Sequence, residues 1–117
     1  MPRRPTLALD VMGPVTHQLL KVLDEAAELL KCDGESHWSK WLLQARASLE
    51  SSDYSGIDYL LSAYGGMGSL NDFVLGQTQV DGKPGWKPGS KALNDRFDSL
   101  RSEAWRLATY IRDHHEI

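Results

Sequence analysis

Apolar residues recur every three or four positions over the last quarter of the chain, between residues 90 and 113, with the period of one face of an α-helix. The residues of this stripe are Leu93, Phe97, Leu100, Ala104, Leu107 and Ile111. Ser90 is predicted to cap the helix, and Trp105 and Tyr110 are predicted to widen its buried stripe. The simplest assembly packs this long helix along the other helices of a bundle.

Three earlier segments carry the same helical period, over residues 15–32, 36–50 and 56–64. Asp33-Gly34 is predicted to end the first helix, since glycine adopts the left-handed conformation without steric cost. Ser55 and Asp58 have the spacing of a capping box for the third helix. No segment shows convincing strand alternation. The sequence therefore predicts an all-α single domain over residues 1–117, a bundle of four to five helices preceded by an irregular segment 1–13.

Residues 76–90, GQTQVDGKPGWKPGS, contain four glycines and two prolines and are predicted to form one long loop. Trp86 is the large apolar residue of this loop. Two interpretations of it remain open: the indole folds back over the core, or it stands out as an anchor for a partner, because Trp is enriched at binding hot spots.

The stretch AYGGMGSLNDFVLG, residues 63–76, places three glycines in four positions. Gly65 and Gly66 follow the third helix, and Ser69 with Asp72 repeats the start signal of a helix, which predicts a tight corner between two helices with Gly68 at their close approach. The alternative is an anion or nucleotide site, because a glycine turn before a helix presents free N–H groups to a phosphate. The spacing is not that of a dinucleotide fingerprint, and Asp72 puts a negative charge where the phosphate would bind.

Charge is distributed unevenly along the chain, whose formal net charge is −3. Residues 15–75 contain four Lys or Arg against nine Asp or Glu. A nucleic-acid partner needs a basic stripe that this sequence lacks, so a basic protein is the better expectation. The sequence contains no apolar run of about eighteen residues, so it predicts no membrane span. The single cysteine, Cys32, cannot form an internal disulfide, and the expected location is the cytoplasm.

Catalytic and metal-binding patterns were sought among the four histidines, the cysteine and the acidic residues. The histidines do not have the spacing of H-E-x-x-H, and no Glu-x-x-His pair of a di-iron bundle occurs. Cys32, next to Asp33, is expected to be an inert thiol. The sequence therefore predicts a protein that is not an enzyme and holds neither a metal nor a cofactor.

The segment LLSAYGGMGSLNDFVL, preceded by HWSKWL and followed by NDRFDSLRSEAW, resembles a family of small helical bacterial domains of unknown function. The resemblance covers about residues 20 to 110, and it has no assigned activity. Domains of this size and class are often encoded beside polymorphic toxins as their immunity partners. The positions that match the family pattern are His37, Trp38, Gly65, Gly66, Gly68, Asn71, Asp72, Arg101 and Glu103. An ion pair between Asp72 and Arg101 would explain why both occur in the pattern.

Two hypotheses of function follow. The first is an immunity protein that neutralises a cognate toxin by direct contact, with Trp86 supplying affinity and acidic residues steering a basic partner. The acidic candidates are Glu25, Glu28, Glu35, Asp53 and Asp58. The second is a helical domain that binds a small ligand or nucleotide at the glycine corner, residues 65–72. A homo-oligomer is compatible with either.

Overall fold

A computed structural model describes residues 13–65, 69–70 and 73–114. Four α-helices dominate this part of the chain: α1 (Pro14–Cys32), α2 (Ser36–Glu50), α3 (Ser55–Leu61) and α4 (Ser90–His114). A 3-10 turn, Ser62–Tyr64, extends α3, and two antiparallel strands, β1 (Gln77–Val80) and β2 (Lys83–Trp86), precede α4. The described chain is therefore predominantly helical, but the prediction of a purely α fold is wrong.

The core lies where α1 packs against α2 and α4, with α3 closing one side. The apolar stripe of α4 is buried from Phe97 to Ile111, as predicted, while Leu93 is half-buried. Trp105 and Tyr110 are 50% and 42% exposed, so they do not widen the buried stripe. Each follows or precedes a buried stripe residue by one position, and one position turns a helical side chain by about 100° around the axis.

Gly34 ends α1 as the sequence predicts, with a φ of +87°. Its N–H donates to the carbonyl of Lys31 at 3.0 Å, and the N–H of Glu35 donates to Leu30 at 2.8 Å. This is the Schellman pattern of a helix C-terminus. The Glu35 carboxylate then accepts the N–H of Trp38 at 3.2 Å and caps α2. The short connection makes α1 and α2 packed neighbours.

The capping box predicted for α3 is wrong. Ser55 is the first helical residue, and its hydroxyl and backbone N–H both donate to Asp53 Oδ1, at 2.7 and 3.0 Å. Asp53 therefore forms a local turn with Ser55 at the start of α3, and the helix has no side-chain cap. The Ser55 hydroxyl donates to the carboxylate of Asp53, two residues earlier, and this local turn spans fewer residues than the predicted capping box.

The predicted long loop contains a β-hairpin, residues 77–86, whose strands are joined by a two-residue turn. Asp81 and Gly82 have φ values of 53° and 76°, as a type I′ turn requires, and Val80 pairs with Lys83 across it. The sequence analysis did not predict the strands, because neither alternates apolar and polar residues. The dipeptide Asp81-Gly82 was the signal from which the turn could have been predicted.

Most of the predicted corner between two helices, residues 65–72, lies outside the described residues, and the chain that follows it, residues 73–76, is not helical. Gly65 has a φ of −91° and a ψ of 122°, which is ordinary extended backbone. Leu70 accepts the N–H of Phe73 at 3.2 Å in a turn, and the chain continues from Phe73 through β1 and β2 before the next described helix at Ser90. Gly66, Gly68, Asn71 and Asp72 lie outside the described residues.

Candidate functional site

The hairpin is attached to the helices through Asp33, the residue that follows α1. Its carboxylate accepts the backbone N–H of Gly76 at 3.2 Å from each oxygen, and Oδ1 also accepts Lys87 Nζ at 2.9 Å. The Asp33 side chain is only 10% exposed, so this ion pair is poorly solvated on the carboxylate side. Between the two strand ends, the N–H of Lys87 donates to the carbonyl of Gly76 at 2.7 Å. These contacts fix both ends of the hairpin to the end of α1.

Asn94 of α4 holds the same region from the other side. Its Oδ1 accepts the N–H of Leu75 at 2.7 Å, and its Nδ2 donates to the carbonyls of Leu75 and Ser90 at 2.8 and 2.9 Å. One amide side chain thus satisfies both backbone groups of the residue that leads into the hairpin. We call Asp33, Gly76, Lys87 and Asn94 the hairpin base.

Trp86 ends β2 and is 60% exposed, so the interpretation that it folds back over the core is wrong. It pairs directly with Gln77, and the ladder places its ring on the face of the hairpin that also carries Gln79 and Pro84. This face borders a shallow groove of about 350 Å³. Val80, on the opposite face, is 64% exposed, so both faces of the hairpin are accessible to solvent.

The five acidic candidates do not form one unopposed patch. Glu25 pairs with Arg96, Glu28 accepts the thiol of Cys32 at 3.3 Å, and Glu35 caps α2. Asp53 accepts the hydroxyl and the backbone N–H of Ser55 at the start of α3, and these contacts lower the pKa of its carboxyl, the hydroxyl more than the N–H. Asp58 is exposed and has no polar partner among the described residues. Four of the five carboxylates are thus engaged within the chain.

Cys32 is an exposed free thiol on the last turn of α1. The hydrogen bond to Glu28, followed by partial desolvation and the Glu28 charge, raises the pKa of this thiol, while Lys31 opposes the shift. A raised pKa lowers the fraction of reactive thiolate at neutral pH. The arrangement agrees with the expectation of an unreactive cysteine.

Arg101 lies beneath the segment that follows the glycine corner. Its Nη1 donates to the carbonyls of Leu70 and Phe73 at 2.9 and 2.8 Å, and Nη2 pairs with Asp98 on the same helix. The guanidinium also lies 5.1 Å from the centre of the Phe97 ring. The predicted pair between Arg101 and Asp72 falls outside the described residues. What the structure shows is a structural arginine that holds backbone carbonyls on either side of residues 71–72.

The structure also describes three further residues of the glycine corner and the family pattern. Ser69 is buried beside Leu70. Gly65 is exposed, and a Cβ built on it would meet no atom closer than the Ser62 carbonyl oxygen at 3.9 Å. Neither its backbone angles nor its surroundings require glycine. Glu103, from the same pattern, pairs with Arg106 within α4.

The sequence analysis did not predict an aromatic groove between α2 and α3, near which Trp38 and Trp41 of α2 lie. Both are half-buried. The Trp41 ring stacks on Tyr59 with centroids 4.4 Å apart, and its Nε1 donates to the Tyr59 carbonyl at 3.0 Å. A shallow groove of about 370 Å³ lies beside this stack and is also lined by His37, Lys40 and Gln44.

Within residues 13–65, 69–70 and 73–114, no three His, Cys, Asp or Glu side chains converge so that they could hold a metal ion. A search of the same residues for a helix long and apolar enough to cross a membrane found none.

Comparison with known families gives a match to a domain of unknown function (DUF6966) over residues 31–83. The matched region runs from the end of α1 to the start of β2, so it includes Asp33, the aromatic groove and all of β1. It confirms the expectation of a domain of unknown function and carries no information about a toxin. No curated protein and no solved structure matches the chain.

Proposed function

We propose that this protein is a non-enzymatic binding protein that contacts its partner through the hairpin, and that the partner is a cognate bacterial toxin which it neutralises as an immunity protein in the cytoplasm. The observation that carries the proposal is the exposed Trp86 on a hairpin whose two ends are fixed. The toxin as partner rests on the family resemblance described above.

An exposed indole on a fixed element suits binding for two physical reasons. Burial of a Trp ring in a partner pocket removes a large apolar surface from water, and Trp is among the residues that dominate binding energies. The hairpin base also reduces the conformational entropy that would be lost if the element became ordered only on binding.

The charges support a smaller steering role than the sequence indicates. The formal net charge of −3 still favours approach of a basic partner. However, Glu25 has its own arginine, reversal of Glu35 would remove the cap of α2, and reversal of Asp53 would remove the acceptor of Ser55. Asp58, which lies in the first turn of α3 without a polar partner among the described residues, is therefore the acidic candidate whose charge tests steering with the smallest structural effect.

Binding of the purified product of the adjacent gene, measured by calorimetry, tests the proposal. Trp86→Ala is expected to weaken binding by about 2 kcal/mol or more, as at a hot spot, without lowering the melting temperature. Trp105→Ala is the matched control, because it removes an equally large and similarly exposed indole from α4. Failure of the wild-type protein to bind, or an equal loss from both variants, would contradict a partner site on the hairpin.

A further inference from the structure

The two outer edges of the hairpin differ in what they offer to another strand. In an antiparallel ladder, residues alternate between pairs that exchange hydrogen bonds and pairs whose N–H and C=O groups point outward. The hydrogen bond from Lys87 to Gly76 fixes this alternation. The pairs Gln77–Trp86 and Gln79–Pro84 are therefore the outward-facing ones.

The outer edge of β2 is blocked by its own sequence. Pro84 occupies an outward-facing position and has no N–H to donate. Lys83 and Lys87 flank it, and lysine and proline are the residues that natural proteins use to protect a sheet edge. A strand that approached β2 would thus meet an incomplete row of donors.

The outer edge of β1 has none of these protections. The sequence of β1 is QTQV, without charge or proline, and the N–H and C=O groups of Gln77 and Gln79 face outward. No backbone hydrogen bond joins them to another element of the described chain. Both glutamines are exposed. One edge of the hairpin is thus closed to pairing and the other is open.

We propose that the open edge of β1 accepts an extended strand from the partner protein, which extends the hairpin to three strands. This inference rests on the proposed function and specifies how its partner is recognised. A partner side chain opposite Gln77 or Gln79 would lie on the face that carries Trp86. The strand that fits is therefore uncharged in the middle and places an apolar side chain on the Trp86 face, where the groove of about 350 Å³ lies.

A second copy of the chain is the less suitable occupant. Two copies of β1 offer only the four residues Gln77–Val80 each. Pairing of two four-residue edges buries far less than the roughly 1,200 Å² at the lower limit of stable protein interfaces. A different protein that brings a longer strand and covers the Trp86 face is not limited to this four-residue contact.

Amide hydrogen exchange of the free protein and of its complex with the adjacent-gene product tests this proposal. The N–H groups of Gln77 and Gln79 should exchange fast in the free protein and slow by about tenfold or more in the complex. Those of Thr78 and Val80, which bond within the ladder, should be protected in both. Unchanged exchange at Gln77 and Gln79 in a saturated complex would overturn the edge proposal while leaving the hairpin's binding role intact.

Variants at one position separate the backbone from the side chain. Gln79→Pro removes the outward N–H and should weaken binding by about tenfold, since it leaves a partner carbonyl without its donor. Gln79→Ala keeps the N–H, so it should weaken binding clearly less than Gln79→Pro does. An Hα–Hα NOE between Gln77 and Trp86 verifies that the hairpin persists in both. Equal binding by both variants would overturn the proposal.

Two other results would also decide against it. Protection of Gln77 and Gln79 that grows with the concentration of the free protein would identify a second copy as the occupant. If the wild-type protein does not bind the adjacent-gene product at all, the proposed function is wrong and this inference falls with it.

Discussion

The carboxylate of Asp33 holds the backbone N–H of Gly76 between its two oxygens, each 3.2 Å away, across 43 positions of sequence. This contact joins the end of α1 to the residue before β1. An isolated two-stranded hairpin is at best marginally stable in water. The contact with Asp33, together with Asn94, explains how a hairpin exposed on both faces is held in one place.

Asp33→Ala is expected to loosen the hairpin without unfolding the helices. The change removes the acceptor of the Gly76 N–H, and a hydrogen bond to a charged group contributes about 1.5–3 kcal/mol. It also removes the partner of Lys87, but that side chain is largely solvated and the pair adds little. The free energy of hairpin opening, measured from native-state exchange at Thr78 and Val80, should therefore fall by about 2 kcal/mol. Asp95→Ala, which breaks only the exposed pair with Lys91, should leave it unchanged. Equal exchange in both variants would show that Asp33 does not hold the hairpin.

Gly76 and Gly65 are expected to respond oppositely to alanine. Gly76 has a φ of +80°, and an added Cβ would lie 2.8 Å from the Cβ of Ser90. We expect Gly76→Ala to cost about 2 kcal/mol in the free energy of unfolding, through left-handed strain and displacement of the α4 start. Gly65 has neither constraint, so Gly65→Ala should change stability by less than about 1 kcal/mol.

Urea denaturation of the two alanine variants measures this difference. Gly82→Ala is a useful third variant, since Gly82 has a φ of +76° but no atom within 4 Å of the added Cβ, and it isolates the strain from the clash. A loss at Gly65 as large as that at Gly76 would mean that the motif glycine has a role beyond the described contacts.

The helices were predictable because their signals are local. The stripe of α4 and the stop at Gly34 each depend on residues within a few positions of one another, and the structure confirms both. The hairpin was not predictable by strand alternation, because its residues are exposed on both faces and no buried face imposes a period of two.

The candidate site was less predictable than the fold because its contacts connect distant positions. Asp33 and Lys87 are 54 residues apart, and nothing in the pattern around either indicates the other. The sequence left two interpretations of Trp86 open, and only the path of β2 in the folded chain shows that its ring is exposed. Glu35 and Asp53 were expected on an interaction surface, but position alone does not reveal that Glu35 caps α2 or that Asp53 is hydrogen-bonded to Ser55.

Tyr64 is expected to make stability depend on alkaline pH. Its hydroxyl donates to the Arg101 carbonyl at 2.6 Å, and burial raises the pKa of the phenol well above its usual value, while the Arg101 charge opposes the shift. The unfolded chain releases this proton near pH 10, whereas the folded chain retains it. The contribution of the neutral buried phenol to the free energy of unfolding is therefore fully present below about pH 10. Above about pH 10 this contribution falls by up to about 1.4 kcal/mol per pH unit.

Urea denaturation of the wild type and Tyr64→Phe between pH 8 and pH 11 measures this dependence. Tyr64→Phe should be less stable at pH 8 by about 1 kcal/mol, because the Arg101 carbonyl loses its donor, and its stability should fall less steeply above about pH 10. Tyr110→Phe, at an exposed ring on α4, is the matched control and should keep the wild-type slope. If Tyr64→Phe and the wild type lose stability in parallel above pH 10, the phenol of Tyr64 ionises in the folded protein as readily as in the unfolded chain, and its burial does not govern the alkaline limit.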